Sequence, residues 1–285
     1  MSTNPSASAS PAPGDVDDLI RAVLRGEHGP DPAEQHAVGA FWVRQSTQFP
    51  GTDHKYRNYY LVLRVGAGFG GCCLERDQLP SEIAEELSGR SVAELLVDSR
   101  APVRIAALDA YLCAAHPHRD DPRATPMLLP HGTPLQRAEA RDRAIAGLLD
   151  IVPGQRVGLI GVVNPLVAAI RAHGGTCLPC DFNMATTADG TPVVRDMGPV
   201  LETADMIVAT GMTLGNGSFD TILAAVRRRG IPFVVYAQTG SAIVPRFLGH
   251  GVTGISAEPF PFSQFSADPT PIHLYRDTAS ATRAA

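Results

Sequence analysis

The sequence is nearly devoid of lysine: Lys55 is the only one, although Lys and Arg together number 24. A phosphate-binding loop of the form Gly-x-x-x-x-Gly-Lys-Ser/Thr is therefore absent. A Schiff base with pyridoxal phosphate would have to use Lys55. Because Lys55 ends the polar run 52–55, we expect it in a solvated turn. The sequence thus argues against a pyridoxal phosphate enzyme.

Long apolar runs and excess basic charge are also missing. The longest apolar stretch, residues 157–170, is interrupted by Asn164 and Pro165 and is shorter than the roughly 20 residues that cross a bilayer. A net charge of −5 gives no electrostatic reason to bind nucleic acid. The chain begins without the basic and apolar segments of a signal peptide. We therefore expect a cytoplasmic protein that contacts neither membrane nor nucleic acid.

The length of 285 residues favours two compact units. In the first, two strand-like segments rich in aromatic and β-branched residues are followed by helical segments, which predicts an α+β unit. In the second, apolar strands alternate with helices, which predicts a Rossmann-like α/β unit with a parallel sheet and helices on both faces. The predicted organisation is a disordered lead-in at 1–14, an α+β domain at 15–116, a proline-rich linker at 117–134, a Rossmann-like domain at 135–276 and a loose tail at 277–285.

The glycines at 66, 68 and 71 match the Gly-x-Gly-x-x-Gly pattern of dinucleotide-binding proteins. That pattern requires a helix directly after it to receive the pyrophosphate. The segment 72–76 does not predict a helix, and Pro80 follows soon after. We interpret the glycines as a hairpin or bulge, or as backbone that approaches a ligand from the first domain.

Polar loops follow the predicted strands of the second half. Because ligands in open parallel sheets bind outside the carboxyl ends of the strands, these loops are expected to form one crevice. Asp181 ends the second strand, where a carboxylate can accept hydrogen bonds from a ribose. Asn216 and Ser218 could instead cap a helix. The candidate ligand-binding residues are Gly161, Val163, Asn164, Asp181, Asn183, Thr210, Gly211, Met212, Thr213, Gln238 and Ser241.

Metal sites are disfavoured by the spacing of the candidate ligands. Cys177 and Cys180 have C-x-x-C spacing, but they lie on a predicted strand, where residues three apart point to opposite faces. The histidines at 116, 118 and 131 lie in the proline-rich segment. We expect these residues to have structural roles.

The second half resembles the putative heavy-metal chelation family. The resemblance rests on the strand at 156–163, the acid that ends the next strand, the segment 204–217 with its Thr-Gly-Met-Thr-Leu-Gly-Asn-Gly sequence, and Gly251-Val252 after Pro245. It implies a Rossmann-like C-terminal domain preceded by a domain similar to the enolase N-terminal fold. Related bacterial proteins occur in natural-product pathways, which implies a biosynthetic role.

Asp181 could bind a ribose, but the loop after the first strand of the second half lacks the glycines that bind a pyrophosphate. This combination suits S-adenosylmethionine better than a dinucleotide. We therefore hypothesise a lyase or cyclase that folds this substrate so that its own nucleophile displaces methylthioadenosine, giving an aminocyclopropane- or azetidine-carboxylate type of product. No pyridoxal phosphate or metal is expected. The alternatives are a methyltransferase and a metal- or metallophore-binding protein.

The catalytic base cannot be assigned from the sequence. Tyr59, Tyr60 and Glu75 flank the glycine-rich turn and could reach the crevice from the first domain, although strand aromatics usually pack in the core. Asn216 is the candidate from the second domain. A homodimer is expected because it is the commonest assembly.

Overall fold

Two sheets of different strand direction organise the chain. The structure is a computed structural model, and it describes residues 12–48, 50 and 55–277. The smaller sheet is antiparallel and has three strands in the order β1-β2-β3. Its strands are β1 (Ala37–Gln48), β2 (Lys55–Val65) and β3 (Gly68–Leu74).

Four helices accompany the smaller sheet, as the α+β prediction requires. They are α1 (Val16–Leu24), α2 (Ile83–Leu87), α3 (Val92–Leu96) and α4 (Ala101–Ala115). Asp15 precedes helix α1 and caps it: its carboxylate accepts a hydrogen bond from the N–H of Asp18 and so satisfies a donor that the helix leaves free. Helix α4 packs on β3 and is buried over most of its length.

The larger sheet has seven strands in the order β4-β10-β9-β8-β7-β5-β6. The strands from β5 to β9 pair in parallel, whereas β10 is antiparallel to both β9 and β4. The predicted parallel pairing of the first two strands of this half is confirmed. The strands are β4 (Ala124–Leu129), β5 (Arg156–Ile160), β6 (Thr176–Cys180), β7 (Met206–Thr210), β8 (Phe233–Ala237), β9 (Gly254–Ala257) and β10 (Thr270–Arg276).

Helices connect these strands and cover both faces of the sheet. They are α5 (Pro134–Gly147), α6 (Asn164–Ala172), α7 (Gly198–Thr203), α8 (Met212–Gly215) and α9 (Ser218–Arg229), with short 3₁₀ turns at His118–Asp120, Val244–Phe247 and Ser263–Phe265. Among the described residues, no helix has the length and apolar character to span a bilayer.

Separate clusters of buried side chains lie on the two faces of the larger sheet. One cluster contains buried residues of α5 and α6 together with Cys177. The other contains residues of α9 and Cys180, and it continues without a break into residues of α1, α4 and β2. The two cysteines therefore lie in different cores, as expected for strand residues three apart.

Asp109 of α4 connects the two units through hydrogen bonds. Its buried carboxylate accepts from the N–H groups of Gly71 at 2.8 Å, Gly240 at 3.0 Å and Ala242 at 2.8 Å. Burial raises the pKa of Asp109 to about 7, and the three N–H donors oppose a larger rise because they stabilise the charged form. One side chain thus connects β3 with the loop that follows β8.

The structure corrects the predicted linker at 117–134. This segment contains β4, an edge strand that pairs with β10. The strand was not predicted because it contains Pro126, and proline has no N–H to donate within a central strand. Proline is tolerated in β4 because β4 lies at the edge of the sheet. The glycines at 68 and 71 lie in β3, so the hairpin interpretation is confirmed.

Predictions for the chain ends are only partly covered by the described residues. Residues 1–11 and 278–285 lie outside them. Within the predicted disordered lead-in, the carbonyls of Pro13 and Gly14 accept hydrogen bonds from Arg227. The end of the lead-in therefore contacts α9.

Candidate functional site

A cavity of about 760 Å³ lies at the carboxyl ends of the parallel strands. Residues that follow β5, β6, β7, β8 and β9 line one side, and residues of β2 and β3 line the other. Helix α5 contributes a third wall. The cavity is therefore where Rossmann-like sheets bind ligands, and both units contribute to it.

Ten of the predicted site residues lie together in the lining of this cavity. They are Tyr59, Tyr60, Glu75, Gly161, Val163, Asp181, Asn183, Thr210, Met212 and Gln238.

Five predicted site residues are not part of the lining, and hydrogen bonds to other parts of the protein account for two of them. Asn164 bridges the Tyr56 hydroxyl, at 3.3 Å, and the N–H of Ala188, at 2.8 Å. The buried Thr213 hydroxyl donates to the Thr210 carbonyl at 2.7 Å. The remaining residues are Gly211, Asn216 and Ser241.

The structure corrects the catalytic prediction for Asn216. This residue is exposed between α8 and α9, and its side-chain oxygen accepts from the N–H of Ser218 at 3.1 Å and from its hydroxyl at 2.6 Å. The alternative interpretation, in which Asn216 organises the start of the helix, matches these contacts. The loop folds into the short helix α8, which keeps Asn216 away from the cavity.

Gly211 and Ser241 are buried for packing reasons. A Cβ atom at residue 211 would lie 2.3 Å from the Thr239 carbonyl oxygen, so the two loops approach too closely for a side chain. Ser241 lies beside the buried His118, with 3.4 Å between its hydroxyl and Nε2.

Asp181 holds the loop between β5 and α6 in place. Its carboxylate accepts from the N–H of Val162 at 2.9 Å and from the N–H of Asn183 at 2.7 Å. Gly161 has a φ of +86°, which a residue with a side chain rarely adopts, and its carbonyl accepts from the Tyr236 hydroxyl at 2.6 Å. Each carboxylate oxygen has two lone pairs, so Asp181 can accept further hydrogen bonds from a ligand.

Amide side chains form a polar patch beside Tyr60. Gln238 donates to Gln264 at 2.7 Å, whereas Gln264 reaches the Tyr60 hydroxyl and the Gln45 oxygen only at 3.4 and 3.5 Å. Long contacts of this kind are weak hydrogen bonds. The patch therefore has donors and acceptors that a polar ligand can use.

Burial raises the pKa of Tyr60 above its usual value. A phenol with a raised pKa holds its proton more tightly, so Tyr60 is suited to donate a hydrogen bond rather than to act as a base. Tyr59 is half-buried against Trp42, with 5.9 Å between the ring centroids. Glu75 is exposed at the edge of the cavity.

The charged residues of the lining that the sequence analysis missed include Arg141, Asp142 and Glu258, which we call the charged cluster. Arg141 donates from Nε to Asp142 at 2.8 Å, and its Nη1 lies 3.8 Å from a Glu258 oxygen. Arg141 and Asp142 were overlooked because adjacent Arg and Asp residues in a predicted helix are usually exposed to solvent. The only signal for Glu258 was its place after the last parallel strand.

Lys55 is the first residue of β2 and is exposed at the edge of the cavity. It was expected in a turn, and the residues directly before it, 51–54, lie outside the described residues. No group of three or more His, Cys, Asp or Glu side chains suited to a metal ion occurs in the described part of the chain.

Comparison with known proteins confirms the resemblance predicted from the sequence. Residues 144–257 match a family described as "putative heavy-metal chelation". A crystal structure of a protein of unknown function from this family, from Desulfitobacterium hafniense DCB-2, has 14% sequence identity and a TM-score of 0.60, covering 91% of this chain and 97% of that one.

A second structure from this family, from Pyrococcus horikoshii, also has unknown function. Its identity is 14% and its TM-score 0.52, over 84% of this chain and 94% of that chain. No curated protein matches this chain. The coverage and TM-scores of the two crystal structures support the two-sheet fold.

Proposed function

We propose that this protein binds S-adenosylmethionine in the cavity and converts it to methylthioadenosine and a small-ring amino acid. The principal support is the position of Asp181, a carboxylate at the carboxyl end of β6 that lines the cavity beside the Gly161 turn. A ribose bound there would donate hydroxyl hydrogen bonds to a charged acceptor, which are stronger than neutral ones.

The loop that precedes α6 argues for a nucleoside rather than a dinucleotide. A bound pyrophosphate needs several free N–H groups at a helix start. Here Pro165 lies in the first turn and has no N–H, and the N–H of Val162 is already bonded to Asp181. Few donors therefore remain for a pyrophosphate.

The charged cluster, which forms one part of the cavity wall, favours a cationic ligand group. The charged cluster combines one guanidinium with two carboxylates, and S-adenosylmethionine has a positive sulfonium. The cavity volume of about 760 Å³ also falls within the roughly 300–1,000 Å³ of small-molecule sites. The volume of the cavity and the excess of carboxylates in the charged cluster both fit the proposed substrate.

The proposed reaction requires no added redox or metal chemistry. The bond between the substrate Cγ and the sulfonium sulfur breaks, and its electron pair remains on sulfur as the neutral thioether of methylthioadenosine. The α-amino nitrogen or the α-carbon gives one proton to a base and forms the new bond to Cγ. The protein mainly has to hold the chain folded, so that this attack is intramolecular.

Two alternatives have specific support. The family description favours metal or metallophore binding, and a Rossmann-like sheet with a ribose-binding acid is equally compatible with methyl transfer. Their products differ: methyl transfer yields S-adenosylhomocysteine, and a binding protein leaves S-adenosylmethionine unchanged.

Calorimetric titration of Asp181 variants tests the binding step. We expect Asp181→Ala to weaken S-adenosylmethionine binding by about 10- to 100-fold, because charge-assisted hydrogen bonds are lost and water replaces them in part. Asp181→Asn should lose less, since the amide keeps one acceptor. Asp196→Ala is the matched control, because Asp196 also accepts a backbone N–H, that of Gly198 at 2.8 Å, but is exposed outside the lining.

Equal affinities of wild type and Asp181→Ala, with a lower melting temperature in the variant, would make Asp181 a purely structural residue. Absence of binding heat with both S-adenosylmethionine and methylthioadenosine in the wild type would contradict the proposal. In that case the metal-binding alternative would take its place.

A further inference from the structure

The charged cluster lies in the cavity wall with bonding capacity that the protein does not use. One oxygen of Asp142 and one of Glu258, Oδ2 and Oε2, are buried without a hydrogen-bond partner among the described residues. The two residues are only 1% and 2% exposed. A buried acceptor without a donor is costly, so these oxygens point to a ligand that provides N–H donors.

Arg141 has unused donors in the same cluster. Its Nε donates to Asp142, and the 3.8 Å to Glu258 is too long for a hydrogen bond. Within the described part of the chain, no acceptor is bonded to its Nη groups. Its side chain is 17% exposed, so a ligand carboxylate can approach the guanidinium and form a charge-assisted pair.

Unused anionic acceptors next to unused guanidinium donors match the two charged groups of an α-amino acid. We propose that the charged cluster is the subsite for the α-amino-acid end of the substrate: Arg141 binds the carboxylate, and Asp142 and Glu258 accept from the ammonium. This inference rests on the proposed function. A carboxylate of the charged cluster would also serve as the proton acceptor if the α-amino nitrogen is the nucleophile, since the ammonium must lose one proton before the nitrogen attacks Cγ.

The position of Tyr236 agrees with this orientation. Its hydroxyl is bonded to the Gly161 carbonyl, beside the predicted ribose position. Burial raises the pKa of the Tyr236 phenol. The charges of Asp142, Arg141 and Asp181 also act on this phenol. The two ends of the proposed substrate would therefore lie on either side of Tyr236.

Three ligands and one substitution test the subsite. S-adenosylmethionine has the amino-acid end and the sulfonium, S-adenosylhomocysteine has the amino-acid end with a neutral sulfur, and methylthioadenosine has neither. We expect Glu258→Gln to weaken binding of the first two by about tenfold or more and to leave the affinity for methylthioadenosine unchanged. Glu139→Gln, an exposed position on α5, is the control and should change none of the three.

The folded state of the variant is checked by thermal melting. Glu258→Gln leaves Arg141 paired one-to-one with Asp142, so we expect its melting temperature to stay near or above that of the wild type. Equal weakening of all three ligands would indicate a distorted cavity and overturn the inference. Weakening for S-adenosylmethionine alone would mean that Glu258 recognises the sulfonium, which also overturns it.

Failure of the proposed function has a different signature. If the wild type binds none of the three ligands, the proposed function fails, and the inference that rests on it fails as well. If the wild type binds S-adenosylmethionine and Glu258→Gln binds it equally well, only the subsite assignment fails.

Discussion

His118 illustrates how a titratable side chain becomes a structural one through burial. Its Nδ1 lies 2.6 Å from the Tyr275 hydroxyl, and its ring stacks on His273 with 5.2 Å between centroids. Burial lowers the pKa of His118 to about 3. The imidazole is therefore neutral in the folded protein at physiological pH, and it packs against Tyr275, His273 and Ser241.

This lowered pKa predicts a loss of stability in acid. Because the unfolded histidine titrates near its usual 6.5, the unfolded state binds the additional proton first as the pH falls. The contribution of His118 to the free energy of unfolding is complete above pH 6.5 and decreases below it. At pH 5 the decrease is about 2 kcal/mol, since one pKa unit equals roughly 1.36 kcal/mol.

Urea unfolding of wild type and His118→Gln at pH 7.5 and pH 5 measures this effect. The wild type should lose about 2 kcal/mol more than the variant on acidification, because glutamine does not titrate. Identical losses in the two proteins would show that His118 does not control the acid response.

Individual site residues were predictable to different degrees for physical reasons. The place of Asp181 in the cavity lining was predictable because an acid at a strand end has a specific relation to the sheet. The charged cluster was not, because partnership between Arg141 on a helix and Glu258 after β9 depends on tertiary packing. Asn216 was misassigned because a polar loop can equally well cap its own helix.

At the scale of elements, the contact between β3 and α4 determines where glycine is required. Residues 68 and 70 lie on the same face of the strand. A Cβ atom at 70 would lie 1.9 Å from the backbone nitrogen of Ala110, whereas one at 71 would meet nothing closer than 3.4 Å. Glycine at 70 thus allows the helix to approach the strand backbone.

We therefore expect Gly70→Ala to destabilise the protein and Gly71→Ala to be tolerated. The first substitution forces α4 away from β3, at a cost of at least about 1–3 kcal/mol, as in other overpacked cores. Free energies of unfolding of the two variants provide the comparison. A Gly70→Ala protein as stable as Gly71→Ala would mean that the helix is free to shift.

Most elements of the second half were predicted from apolar periodicity, since strands buried on both faces form short continuous apolar runs. The strands that were not predicted lack such an apolar run or lie outside the strand–helix alternation. Strand β4 contains Pro126 and lies at an edge, and β10 is an antiparallel addition that strand–helix alternation does not indicate. The glycine-rich β3 lacked the side chains by which strands are identified.

At the scale of the whole molecule, the cavity depends on both units at once. The second unit supplies the strand ends and the charged cluster, and the first supplies the wall that contains Tyr60. Asp109 connects them through buried N–H contacts on both sides. This arrangement makes the cavity a property of the assembled chain.

Analysis of the reaction products decides whether this cavity consumes S-adenosylmethionine. Purified protein is incubated with S-adenosylmethionine, and the products are identified by liquid chromatography and mass spectrometry beside an enzyme-free control. We predict methylthioadenosine with an equimolar small-ring amino acid, at a rate well above the control. S-adenosylhomocysteine as the product, or unchanged S-adenosylmethionine, would contradict the account.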